Sequence, residues 1–143
     1  MFQYFEKNPQ LYSEKEKIIT VEPTPMQIKI YKKFFKARKF DFIYNENIEQ
    51  NFGILQKIAN HPILIFDEMK NFAKDIAEEI NNEDSIIKAS GKLFFLEKML
   101  TNLIANEHRV LIMFNISKMG NIIESLLQNK RISYRRLDGS NGR

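Results

Sequence analysis

The sequence predicts an α/β fold, mainly helical over its first two thirds and alternating helix with strand in its last third. Three observations carry that expectation. Apolar residues recur at helical spacing in segments starting near Met26, Ile48, Ser90 and Ser117. A run of five apolar residues, VLIMF at 110–114, follows a helix and a charged turn, as expected of a strand buried on both faces. A second short stretch, 132–137, follows the next helix, and helix–strand–helix–strand is the grammar of a helix-covered sheet.

In chain order, residues 1–16 are polar and irregular. KIITVE at 17–22 is β-branched and short and predicts a strand, stopped by Pro23-Thr24-Pro25. Thr24 is suited to cap free helix amides, and Pro25 suits the first helical position. Met26, Ile30, Phe34 and Phe35 then mark an amphipathic helix, with Lys29, Lys32, Lys33 and Lys36 on its basic side.

The next predicted helix spans 48–59, with Ile48, Phe52, Leu55 and Ile58 as its buried stripe. Asn60-His61-Pro62 ends it, because a residue before proline is pushed out of the helical region. Residues 67–89 read as charged and partly helical, with a loop around Asn81, Asn82 and Asp84. Ser90 opens a helix whose apolar face is Leu93, Leu96, Met99, Leu100, Leu103 and Ile104. Ser117 opens another, to about 127, on Met119, Ile122, Ile123, Leu126 and Leu127.

Bulk composition narrows the function classes. At 143 residues and 43% hydrophobic, the chain is long enough for one packed domain. Its net charge of +4 is compatible with a phosphate-facing surface without establishing one. Having no cysteine excludes disulfides and thiolate metal sites. His61 and His108 lie far apart, so no metal is expected. No apolar run approaches a membrane span and 1–10 lack a secretory core, so a soluble intracellular protein without a membrane partner is expected.

Four stretches resemble, in order, the SWI/SNF-type helicase-like ATPases of superfamily two. They are Val21-Glu22-Pro23-Thr24-Pro25-Met26-Gln27 with Ile30-Tyr31; Leu55-Gln56-Lys57-Ile58-Ala59-Asn60-His61-Pro62, with Ala59 where the family usually has cysteine; Ser90-Gly91-Lys92-Leu93; and 108–115 with Tyr134-Arg135-Arg136-Leu137-Asp138-Gly139-Ser140. The last pair is similar to motif IV and the motif after it. The resemblance runs from about residue 17 to the end.

It implies a helical inter-lobe region over 1–89, followed over 90–143 by a truncated, incomplete RecA-like (P-loop NTPase type) parallel-sheet lobe. The implied parent is an ATP-dependent double-stranded-DNA translocase of the nucleus, acting in recombinational repair or chromatin remodelling. Phe114-Asn115, the Asn-His-Pro run and Lys130-Arg131 look most like the homologous-recombination branch. The alternatives are a chromatin-remodelling ATPase of another branch and a stand-alone, non-enzymatic lobe that binds DNA or a partner. The kinship implies that 110–114 and 132–137 are neighbouring central strands.

The chain contains no GxxxxGK[ST] and no Asp-Glu-x-His-like magnesium box. No catalytic, nucleotide-binding or metal residue is therefore assigned. ATP and magnesium are implied only for a longer parent, and this chain alone is expected to be inactive. Partners implied are duplex DNA, an absent first RecA-like lobe, a recombinase or nucleosomes. The candidate DNA contacts are Asn115, Ser117, Lys118, Arg136, Gly139 and Ser140. A helix start favours an anion through its free amides and dipole, although Ser117 as a plain cap and Lys118 as a solvated charge explain the residues equally well. Asp138 reads as a turn-former. Arg135 and Arg136, adjacent in a strand, point to opposite faces, so at most one faces DNA. His61 reads as a packed turn histidine.

Overall fold

The structure, a computed structural model, describes residues 17–39, 47–69, 74, 80 and 82–138. Gly139 and Ser140 lie outside them, as do 1–16 and Asn81.

The described fold is helical. Helix α1 is Pro25–Ala37, α2 is Ile48–Asn60, α3 is Glu83–Lys88, α4 is Gly91–Ala105 and α5 is Ser117–Asn129, with a 3-10 turn at Pro62–Ile65. Three of the starts carry a side-chain cap. Thr24 and Gln27 form a capping box over α1, Asn82 and Ser85 form another over α3, and Ser90 accepts from Leu93 at the start of α4. His61, ahead of Pro62, is extended at φ −165°, and that stops α2.

The expected parallel-sheet lobe is corrected by this structure, because the described residues contain no strand and no sheet. Segments 17–22, 110–114 and 132–137 lie in neither helix nor ladder. β-branched and apolar composition favours extended backbone, but only a hydrogen-bonded neighbour makes a strand of it. Here these segments lie against helices instead. Burial on both faces also fails at 110–114. Ile112 and Phe114 are half-buried, whereas Leu111 and Met113 are 85% and 86% exposed. The same alternation runs through 132–138, where Ile132, Tyr134, Arg136 and Asp138 are partly covered.

Two apolar clusters form the interior. The first joins Met26, Ile30 and Phe34 of α1 to Ile54 and Ile58 of α2, with Ile65 and Ala89. The second joins Ile87 and Leu93 with Leu100, Ile123, Leu126 and Leu127, and Ile112, Phe114, Ile132 and Tyr134 pack onto its edge. Fully burying a Leu, Ile, Met or Phe side chain in these clusters contributes about 1.5–3 kcal/mol. The stripe of α2 is rotated from expectation. Asn51, Ile54 and Ile58 are buried, while Phe52 is 59% exposed. On α1, Phe35 lies outside the core and stacks on Tyr31, with ring centroids 6.4 Å apart.

Candidate nucleic-acid interface

Three of the recognised stretches meet in one polar joint. Gln27, 2% exposed, uses both ends of its amide. Its Nε2 donates to the carbonyls of Ile58 (2.8 Å) and Ala59 (3.0 Å) at the end of α2. Its Oε1 accepts from the amides of Thr24 (3.0 Å) and Gly91 (3.1 Å). Thr24 Oγ1 donates to the Ala89 carbonyl at 2.9 Å, and Ser90 Oγ donates to the Asn60 carbonyl at 2.6 Å. The joint therefore ties α1, the end of α2 and the start of α4 through groups that helix termini leave unpaired. Gly91 is required there, because a Cβ would lie 2.1 Å from the Glu22 carbonyl oxygen.

His61 belongs to the same joint and is fully buried. Its Nδ1 accepts from the Ile63 amide at 3.1 Å, and its Nε2 lies 2.8 Å from the Ile86 carbonyl. Only the neutral ring with its proton on Nε2 satisfies both bonds. Burial lowers its pKa, against the Ile86 bond, which raises it. It is the packed turn histidine that the sequence suggested. Lys92 Nζ donates to Asn60 Oδ1 at 2.8 Å, so the Ser-Gly-Lys stretch also helps to hold this joint.

The candidate DNA contacts lie elsewhere. Asn115, Ser117 and Lys118 are exposed together at the start of α5. Ser117 is the first helical residue, while Ile116 occupies the cap position without a side-chain bond. Lys118 Nζ pairs with Asp67 Oδ2 at 2.6 Å, which raises the pKa of the lysine and lowers that of the carboxyl. Both partners are largely solvated, so the pair is weak and exchangeable.

Arg136 is placed differently. Its Nη1 donates to Asn121 Oδ1 and Glu124 Oε2, both at 2.8 Å, and its Nη2 pairs with Asp138 at 2.7 Å. Glu124 also accepts from Tyr134 Oη at 2.6 Å, and this bond, followed by that from Arg136, lowers the Glu124 pKa. Asp138 is thus an ion-pair partner of Arg136. Gly120 opens the niche for this packing, since a Cβ would lie 2.6 Å from the Phe114 ring and 3.1 Å from Arg136 Nη2. Arg135 is exposed while Arg136 is partly covered, in keeping with their opposite facing.

The sequence reading noticed Gln27 but gave it no role, although Thr-x-x-Gln is a capping-box signature. The Lys118–Asp67 pair joins positions far apart in sequence and left no local signal. Among the described residues, no group of three His, Asp or Glu side chains is placed to hold a metal ion.

Comparison with known proteins places the chain. A family model described as class II histone deacetylase complex subunits 2 and 3 matches residues 15–143. Chromodomain-helicase-DNA-binding protein 6 of Rattus norvegicus is 33% identical over 94% of this chain. Transcription regulatory protein SNF2 of Saccharomyces cerevisiae is 32% identical over 87% of it, and protein CHROMATIN REMODELING 5 of Arabidopsis thaliana is 35% identical over 87%. The matched stretch spans 5% of the first of these relatives and 8% of each of the other two. The strand pairing expected of this kinship is absent among the described residues, and the kinship is carried instead by sequence likeness along most of the chain. The chain belongs to the family of class II histone deacetylase complex subunits 2 and 3, and its relatives include SWI/SNF-type chromatin-remodelling ATPases.

Proposed function

We propose that the chain acts on chromatin in the nucleus as a duplex-DNA-facing helical segment of a SWI/SNF-type ATPase assembly, without hydrolysing ATP itself. The observation that carries this reading is the exposed group Asn115, Ser117 and Lys118 at the start of α5, where the resemblance locates a phosphate contact. Lys118 reaches a phosphate by exchanging one solvated partner, Asp67. Arg136 would have to leave two carboxylates, so it supports the contact less directly. ATP and magnesium are assigned to another part of the assembly, because this sequence has no phosphate-cradling loop. Nucleosomes and an ATP-binding lobe are the partners this reading implies.

The test is binding of the purified chain to a short duplex DNA at several salt concentrations. Binding should weaken steeply with salt, and Lys118→Ala should reduce the slope by about one. An unchanged slope removes Lys118 from the interface. ATP hydrolysis by the chain alone would contradict the assignment of ATP to another part.

A second reading is favoured by the family description: a non-enzymatic subunit of a histone deacetylase complex. Assemblies purified through a tagged copy of this chain separate the two. DNA-stimulated ATPase activity supports the first reading, and deacetylase activity without it supports the second. A role in recombinational repair rests on Phe114-Asn115, the Asn-His-Pro run and Lys130-Arg131. Phe114 packs over Gly120, which gives it a structural reason to be aromatic. Repair defects on deletion, with nucleosome positions unchanged, would favour that narrower role.

A further inference from the structure

We propose that a groove beside α1 is a docking site for an acidic peptide segment that presents apolar side chains. The groove encloses about 420 Å³ and is separate from the start of α5. Val21, Pro23, Ile28, Tyr31, Ile58 and Ala59 give it an apolar wall. Ile28 and Tyr31 are exposed, unlike the core residues Ile30 and Phe34 of the same helix. Tyr31 stacks with exposed Phe35, which extends the apolar strip by one further turn. A solvent-facing strip continuous with a concavity is the form in which proteins receive an apolar anchor.

Charge selects the occupant. Helix α1 has four lysines and no acidic residue. Lys32 lines the groove, and Lys36 lies one turn further along the same side. Lys92 approaches from α4, where its Nζ donates to the neutral Asn60 amide. Glu22 is the single carboxylate among the lining residues. Cations beside an apolar wall match a segment whose Asp and Glu flank Leu, Ile or Phe, with the apolar groups filling the groove and the carboxylates meeting the lysines. A nucleic-acid backbone would meet the same lysines but would leave the apolar wall uncovered. The proposal does not depend on the DNA contact suggested for Lys118.

The experiment measures anisotropy of a fluorescein-labelled amphipathic peptide built only of leucine and glutamate, titrated with the full chain. A second peptide carries glutamine for every glutamate, and a short duplex DNA serves as competitor. The acidic peptide should bind, and the neutral one should bind at least about tenfold more weakly. Tyr31→Ser and Lys32→Glu should each weaken the acidic peptide about tenfold. Both positions are exposed, so the helical circular dichroism should be retained. If Tyr31→Ser loses it, Lys32→Glu decides. No binding, equal binding of the two peptides, or indifference to both substitutions overturns the proposal. It is also overturned if duplex DNA binds in a way that Lys32→Glu abolishes and Tyr31→Ser leaves intact, because the surface would then be a nucleic-acid contact.

Discussion

The joint around Gln27 and the region 108–138 both contain recognisable motifs, yet their polar residues are used in opposite ways. In the joint, Gln27, Ser90 and His61 are buried, and each bonds to backbone groups. In the later region, Asn115, Ser117 and Lys118 face solvent, and segments 110–114 and 132–137 have no ladder partner among the described residues. A motif in sequence does not say whether its polar atoms serve the chain's own backbone or an outside ligand. Burial separates the two uses, because a buried polar atom must find its partner inside.

The largest expected contrast is in hydrogen exchange. Amides of 110–114 should exchange faster than those of Leu93 to Leu100 in α4 by about two orders of magnitude or more, since they lack intrahelical bonds. Equal protection would show that these segments are held as firmly as the helices and would erase the comparison. Next, Gln27→Leu strands donors and acceptors at three helix ends. It should cost about 3–5 kcal/mol in urea denaturation. A loss below about 1 kcal/mol would show that the three helix ends are held together by other contacts.

Gly91→Ala should be smaller, at about 1–3 kcal/mol, because the 17–22 arm must move to admit the methyl group. His61 gives the joint a pH dependence. Its lowered pKa means that the unfolded chain takes up a proton near pH 6.5 that the folded chain refuses. Stability from this group is complete above about pH 6.5 and falls as the pH drops towards the folded pKa, by at most about 1.4 kcal/mol per unit. Denaturation midpoints between about pH 7 and 5.5 should show this slope, and a flat profile would remove the histidine from the account. The smallest effect belongs to the other region. Lys118→Ala should leave the denaturation midpoint unchanged, because its ion pair is solvated. A lowered midpoint would make Lys118 part of the scaffold.

Much of the helical framework was legible. The Thr24 and Ser90 caps, the proline after His61 and the span of α2 all appeared where the sequence placed them. Phe52 was misplaced because helical spacing gives a stripe's period but only loosely its direction, and Ile54 faces the core instead. The candidate contacts at 115, 117 and 118 were picked out through resemblance. The enclosure of Arg136 was not, because its partners Asn121 and Glu124 come from α5.

The sequence by itself determined where α1 and α4 begin and where α2 ends, since caps and prolines act between near neighbours. The tertiary structure alone decided that VLIMF and the 132–137 stretch lie unladdered against helices. It also decided that the Gln27 amide meets Gly91, 64 residues away. Extended backbone and a buried amide are both completed by distant groups, and no local pattern specifies which groups those will be.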